Sequence, residues 1–316
     1  MLLKEQIDRL FERQLQDWQL VHDNYAALDR LVTREVTFHV EYSMEDPRIV
    51  LQYNPERLRS SSANIDDASI HARPCFLCNE NQPKEQETLL WDGRYKIQVN
   101  PYPIFSRHLT ISSLEHTPQR IAGRIADMMK VSKDLQGFVV FYNGPYSGAS
   151  APDHMHFQAG LRNELPFCDE ISSVSTTMLD INNQGAFYST TRLGRPVFYI
   201  ETTSIEQGEQ WFNKLLSTLP VKCNHVEPLI NVLCWCEKGS WSIAVFPRRK
   251  HRPACYGTNE DQFVISPASV DMGGLWAVAR EEDFNNLTPH DVKLIFLDVC
   301  LAPEDVKNIS ENLTQH

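Results

Sequence analysis

From Lys4 to about Leu28, apolar residues recur as Ile7, Leu10, Phe11, Trp18, Val21, Tyr25 and Leu28, with charged residues between them. That spacing is close to the helical period and predicts an amphipathic helix. The pattern then turns β-rich: VTFHVEYS from Val36 and RIVLQYN from Arg48 precede the polar stretch SSSANIDD, which reads as a loop. Strands resume with YKIQVN from Tyr95 and HLTISS from His108, and Thr117 or Pro118 starts a helix running towards Leu135. FVVFYN from Phe138 is apolar enough for a buried central strand, broken by Gly144, Pro145 and Gly148. After Arg195 a second β-rich half begins with VFYIETT, followed by a helix from about Ile205 to Leu219. LINVLCWC and SWSIAVFPR are then joined by Glu237-Lys238-Gly239, a hairpin turn. Asp283 to Asn312 reads mainly as helix. The class is α+β, with an N-terminal helix (1–35), a first half (36–165) and a second half (166–316). No low-complexity linker separates the halves, and no short-period repeat is visible.

Composition changes this picture only at the edges. With 316 residues, 42% hydrophobic and 22% charged, the chain has the makeup of a folded protein with a sizeable core. A formal charge of -11 argues against binding nucleic acid polymers or anionic membranes. It leaves room for a small phosphorylated ligand, which needs only a few local arginines and backbone amides. No apolar run approaches the roughly 18 residues of a membrane span. MLLKEQIDRLFERQ lacks the features of a signal peptide, so a cytoplasmic location is expected. The eight cysteines are too sparse and irregular for a disulfide framework and are expected to be reduced.

The chemistry concentrates between Phe141 and Gly160, in FYNGPYSGASAPDHMHFQAG. If residues 154–159 form a strand, His154, His156 and Gln158 share one face, and Met155 and Phe157 the other. A row of imidazole, imidazole and amide on a buried strand is costly unless its groups have partners. A single histidine of this kind is commonly satisfied by a backbone carbonyl. Two histidines and a glutamine in strict alternation behind a Gly-rich turn point instead to an open, polar pocket into which His156 projects. Cys75-Phe-Leu-Cys78 is a C-x-x-C pair, which alone fits zinc, a redox pair or neither. The Arg73-Pro74 lead and the polar tail after Cys78 do not supply the strand-to-helix context of a thioredoxin-like motif. Arg248, Arg249, Lys250 and Arg252 form the densest basic cluster, either a solvated loop or a phosphate-binding one.

The His-Met-His-Phe-Gln string resembles the His-x-His-x-Gln motif of the galactose-1-phosphate uridylyltransferase and ATP adenylyltransferase branch of the histidine-triad superfamily. HMHFQA is especially similar to GDP-galactose phosphorylases, and the general pattern is also that of a family of bacterial proteins. The resemblance implies two HIT-like halves, each a mainly antiparallel β-sheet with flanking helices. It also implies a nucleotidyltransferase or nucleotide-sugar phosphorylase working through a covalent nucleotidyl-histidine on His156, with phosphate or a sugar phosphate as acceptor. Gln158 would hydrogen-bond a nonbridging phosphate oxygen. The alternatives are a dinucleoside polyphosphate phosphorylase or hydrolase, and a non-catalytic nucleotide-binding module.

The segments Asn54-Pro-Glu-Arg-Leu-Arg59 and Asn100-Pro-Tyr-Pro also resemble the superfamily, and so does the turn after SWSIAVFPRRK. They make Arg57, Arg59, Asn100, Asn143, Gly144, Ser150, Arg248 and Lys250 candidate substrate contacts, with backbone amides from Gly144 to Ser150 forming an anion-binding turn. In the uridylyltransferases a structural zinc takes a C-x-x-C pair and two histidines. The matching positions are Cys75, Cys78, His116 and His154, with His108 as the fallback third ligand. The implied partner is a nucleotide or nucleotide sugar, and the implied assembly a monomer or homodimer. The loop before the histidines departs from the uridylyltransferase pattern, reading GASAPD, so hexose recognition does not transfer.

Overall fold

The computed structural model describes residues 2–41, 43, 46–55, 73–259 and 261–314. The amphipathic N-terminal segment is two helices, α1 (Leu3–Asp17) and α2 (Gln19–Leu28), because Trp18 between them takes an extended conformation. Ile7, Leu10, Phe11, Trp18, Val21 and Tyr25 face inward as their spacing predicts. They join the core that also holds Tyr95, Ile97 and Val99. Asn24 Nδ2 donates to the Pro101 carbonyl (2.6 Å) and Tyr25 Oη to the His108 carbonyl (3.1 Å), so these helices brace the segment leading into the site.

The strands are β1 (Val32–Thr37), β2 (Arg48–Tyr53), β3 (Leu89–Trp91), β4 (Tyr95–Val99), β5 (His108–Ser113), β6 (Phe138–Asn143) and β7 (His156–Leu161) in the first part of the chain. In the second they are β8 (Thr177–Asn182), β9 (Gly185–Thr190), β10 (Val197–Thr202), β11 (Ile230–Glu237), β12 (Ser240–Pro247) and β13 (Leu275–Val278). Ten of them form one antiparallel sheet in the order β3-β4-β5-β7-β6-β11-β12-β10-β9-β8. The two halves follow the same plan: three strands, a helix, then two strands. The helices are α3 (Ile125–Asp134) and α4 (Ile205–Thr218). The fourth strand of each half, β6 and β11, pair with each other from Asn143–Asn231 to Val140–Cys234. The halves are therefore joined by strand pairing rather than by a linker.

One face of this sheet carries α1, α2, α3 and α4 over a core including Phe157, Ile111, Val232 and Ile243. On the other, β1, β2 and β13 form a separate three-stranded sheet, with Ile49, Leu51, Trp276 and Val278 packed in a second core with Phe105, Phe141 and Leu233. The expected β1 lies earlier than VTFHVEYS suggests. The helix expected from Thr117 or Pro118 begins only at Ile125. Strands β3, β8, β9 and β13 were not foreseen; β8, at the sheet edge, is largely exposed and lacks a buried-face pattern. The hairpin is as expected, with Lys238 and Gly239 both at positive φ (50° and 82°). The polar stretch at 60–67 lies outside the described residues. Among the described residues, no helix is long and apolar enough to cross a membrane.

A buried carboxylate ties the halves together beside this junction. Glu227 Oε1 accepts from Tyr142 Oη (2.6 Å) and Oε2 from the Ile121 amide (2.9 Å). Burial pushes its carboxyl up from 4.5 to about 7, although these two bonds and the Arg120 charge favour the ionised form. A carboxyl whose folded value is raised contributes stability below its unfolded value and loses it as pH rises through the folded one. The expected outcome is a fall in unfolding free energy on the order of 3 kcal/mol between pH 5 and pH 8 attributable to Glu227. Urea denaturation across that range should show the fall flattened in Glu227→Gln, whose amide can still accept from Ile121 and donate to Tyr142.

Candidate active site and metal centre

Strand β7 starts at His156, two residues later than the sequence pattern suggests, because residues 151–154 form a turn closed by His154 N–H to the Ala151 carbonyl (3.1 Å). The alternation survives. Met155 and Phe157 enter the helix-covered core, while His154, His156 and Gln158 belong to the opposite face. Backbone pairing carries β7 back to β5, with Ser112 opposite His156 and Thr110 opposite Gln158.

The His156 ring is oriented by a single bond, Nδ1 to the His154 carbonyl at 2.8 Å. A carbonyl only accepts, so Nδ1 carries the proton and Nε2 keeps its lone pair. Among the described residues no group bonds to Nε2. Burial lowers the imidazole to about 4, outweighing the pull of the His154 carbonyl the other way, so the ring is neutral near pH 7. The ring is only 3% exposed, deeper than the open pocket the sequence suggests. In the neighbouring layer Asn143 Oδ1 accepts from Asn231 Nδ2 (2.9 Å) and the Ser269 amide (2.8 Å), which ties the helix Ser269–Met272 to β6 and β11. A cleft lies between the Gly148–Ser150 turn and β13, lined also by His251 and Arg252, and neither His156 nor Gln158 is among its lining residues.

Gln158 is oriented by a chain that the sequence did not reveal. The Ile104 amide donates to His108 Nδ1 (3.2 Å), which makes His108 Nε2 the protonated nitrogen, and this meets Gln158 Oε1 at 3.0 Å. Asn100 Nδ2 lies 3.4 Å from the same oxygen. With Oε1 engaged by donors, the Gln158 NH₂ is the end left to donate. His108 is thus an orienting group rather than the fallback metal ligand. Its signal in the sequence was position: it is the first residue of β5, two places before Thr110, which pairs with Gln158.

Cys75, Cys78, His116 and His154 converge, their four ligand atoms all within 4.8 Å of one another. Cys75 Sγ lies 3.3 Å and Cys78 Sγ 3.6 Å from His154 Nδ1, and Cys78 Sγ lies 3.2 Å from His116 Nδ1. Tetrahedral bonds of about 2.3 Å to sulfur and 2.0–2.1 Å to nitrogen put adjacent S and N atoms roughly 3.5 Å apart, so the donor set fits a divalent ion. The outer contacts fit as well. His154 Nε2 faces the Ser113 carbonyl at 2.9 Å, which protonates Nε2 and frees Nδ1, and His116 Nε2 faces Asp153 at 3.6 Å. Burial, with Asp153 and Cys78 adding, pushes the Cys75 thiol up to about 11, a penalty that a bound cation would reverse.

The remaining expected contacts divide. Arg57 and Arg59 lie outside the described residues. Asn100 approaches Gln158, whereas the Asn143 side chain is taken up by Asn231 and Ser269; Ser150 lines the cleft while its carbonyl accepts from Arg73 Nη2 (2.7 Å). Gly144 is a packing glycine: its amide donates to the Ile230 carbonyl (3.1 Å), and an added Cβ would lie 2.7 Å from Ser147 Oγ. The Ser147 and Ala149 amides turn back onto the Gly144 carbonyl, so only part of the expected anion-binding turn has amides to offer. Arg248 is buried and donates to Asn231 Oδ1 and to the carbonyls of Pro267, Val299, Lys250 and His251. It builds the wall and does not present to a phosphate. Lys250 pairs with Asp298 at 2.6 Å. From this basic cluster it is Arg252, 4.2 Å from the Tyr256 ring centroid, that borders the cleft.

The whole arrangement can be compared with known proteins. A solved structure of yeast Ap4A phosphorylase Apa2 superposes with a TM-score of 0.56 at 21% identity, over 90% of this chain and 94% of that one. The chain carries the HIT-like, GalT-like fold. A second structure of the same HIT-like protein, in complex with Ap4A, gives a TM-score of 0.55 at 19% identity, over 90% of this chain and 96% of that one. In sequence, the chain is 30% identical over 171 residues to diadenosine 5',5'''-P1,P4-tetraphosphate phosphorylase 2 of Saccharomyces cerevisiae. That match takes in 48% of this chain and spans about half, 52%, of the curated relative. The family described as a domain of unknown function, DUF4922, matches residues 10–161, the part holding Cys75, Cys78, His116, His154 and His156. The cysteine and histidine cluster has a direct test. Elemental analysis of the purified chain should find about one equivalent of a divalent metal, and Cys78→Ser should lose it with a lower melting temperature. Full stability with no metal bound would refute the centre.

Proposed function

We propose that the chain catalyses nucleotidyl transfer through His156, and that its substrate is a dinucleoside polyphosphate cleaved by inorganic phosphate. The observation that carries this reading is the tautomer of His156: Nδ1 is held by the His154 carbonyl, and among the described residues nothing bonds to the lone pair of Nε2. The sequence likeness to a diadenosine tetraphosphate phosphorylase supports the choice of substrate. In this reading the first half supplies the nucleophile and the second half completes the pocket.

In the first step Nε2 of His156 attacks the α-phosphorus. A P–N bond forms, the bond from that phosphorus to its bridging oxygen breaks, and the electron pair leaves with the remaining nucleotide. Negative charge grows on the nonbridging oxygens, and the Gln158 NH₂ is placed to donate to one of them. In the second step an oxygen of inorganic phosphate attacks the same phosphorus and the P–N bond breaks, returning neutral His156. A dinucleoside tetraphosphate thereby yields one nucleoside triphosphate and one nucleoside diphosphate. Zinc is the metal best suited to Cys75, Cys78, His116 and His154, and there it would fix the turn ahead of β7 without touching substrate.

Incubation with diadenosine tetraphosphate in the absence of phosphate should add the mass of one adenylyl group to His156, and added phosphate should discharge it as ADP. His156→Ala should give no adduct, and Gln158→Ala should slow its formation about a hundredfold. Nucleotide sugars run in parallel decide the leaving group, since HMHFQA also resembles nucleotide-sugar phosphorylases. Unchanged turnover in His156→Ala, or no adduct from either substrate class, would overturn the proposal.

A further inference from the structure

The pairing of β6 with β7 stops two residues short of His156. Its register runs Phe138–Leu161, Val139–Gly160, Val140–Ala159 and Phe141–Gln158. Continued by two residues, it would place Asn143 opposite His156. Instead a side-chain amide stands between these two residues. Gln119 Nε2 donates to the Asn143 carbonyl (2.9 Å) and to the His156 carbonyl (3.0 Å), and Gln119 Oε1 accepts the His156 amide (2.8 Å). Gln119 is fully buried, and its own amide donates to the Pro152 carbonyl (3.1 Å).

We propose that Gln119 is a positioning residue for His156, a wedge that splits the sheet where the nucleophile stands. This rests on His156 being the nucleophile. A direct antiparallel rung brings facing Cα atoms to about 5.5 Å or less, whereas an interposed primary amide holds the strands apart while satisfying both of their backbones. One glutamine does this because its amide offers two donors and an acceptor in one plane. Splaying the strands gives the His156 ring lateral room between β5 and β6. The bonds on both sides of its peptide keep the backbone, and hence the lone-pair direction of Nε2, fixed. The wedge is itself held from the second half, since two residues on, the Ile121 amide donates to Glu227. It also accounts for the late start of α3: residues 117–121 are spent on buried bonds to Met155, His156 and Glu227 and cannot wind into the expected helix.

The test uses the full chain with Gln119→Met, which keeps length and volume but has no amide, and Gln119→Glu, which keeps an acceptor for the His156 N–H while setting its second oxygen against two carbonyls. Two readouts are taken. Single-turnover formation of the nucleotidyl-His156 adduct should fall about a hundredfold in Gln119→Met, the scale of a misplaced reacting atom, with the apparent KM changed less than threefold. Hydrogen exchange at the His156 amide should be protected in the wild type and accelerated by roughly tenfold or more in Gln119→Met, with amides of β4 and β10 unaltered. If Gln119→Met does not fold, the same pair of measurements on Gln119→Glu decides. Wild-type adduct rates in a folded variant, or a uniform rise in exchange across the sheet, would overturn the wedge. A wild type that forms no adduct, with the exchange pattern as expected, would retain the wedge and remove the nucleophile.

Discussion

The hydrogen bond from His156 Nδ1–H to the His154 carbonyl is the constraint on which the site depends. A buried imidazole is a nucleophile only while one nitrogen holds its proton against a fixed acceptor and the other is bare. Here acceptor and nucleophile are two residues apart on the same backbone, so anything that rotates the peptide after His154 also rotates the lone pair. That peptide is clamped from two directions. The His154 ring faces two thiols and the Ser113 carbonyl, and the Met155 amide and carbonyl are bonded to Thr117 and Ser113. The cysteine and histidine cluster and the site around His156 are therefore not separate features. Both act on one short stretch of chain, the cluster at its side chains and the sheet at its amides.

Much of the site was legible because its signals are local. Period-two alternation through HMHFQ puts His154, His156 and Gln158 on one face of a strand, and the apolar Met155 and Phe157 show which face joins the helix-covered core. The spacing of Cys75 and Cys78 likewise makes them neighbours without tertiary information. What stayed hidden is what depends on partners distant in sequence. Arg248 looks like a phosphate ligand in a run of basic residues, but Asn231, Pro267 and Val299 supply acceptors that take it into the interior. His108 looks like a metal ligand by composition, yet the Ile104 amide fixes its tautomer for Gln158. Gln119 gives no pattern at all, since one buried glutamine has no period.

The fold shows the same division. Strands β4, β5, β6, β10, β11 and β12 are buried on both faces or nearly so, and their apolar runs announce them. Edge strand β8 reads as polar because most of its side chains face solvent, and β13 is four residues long and pairs with β2, far away in sequence. Neither has a hydrophobic period strong enough to be read, and both are held by tertiary pairing.

Two halves built on one plan need not do the same work. Strands β11 and β12 carry no histidine, so the second half lacks the chemistry of β7 while keeping its framework. It contributes instead at the seam: Asn231 and Ser269 grip Asn143, and Glu227 grips Tyr142 and the Ile121 amide. Each of these bonds ends on β6 or on the 117–121 segment, the two pieces of backbone that flank His156. The junction strand β6 thus sits between the half that carries His156 and the half that braces it, and its continuous pairing with β11 ties the position of one to the other. A side chain built into this seam, as His156 is, is placed by the whole ten-stranded sheet rather than by a loop, and so holds its position more precisely than a loop residue would.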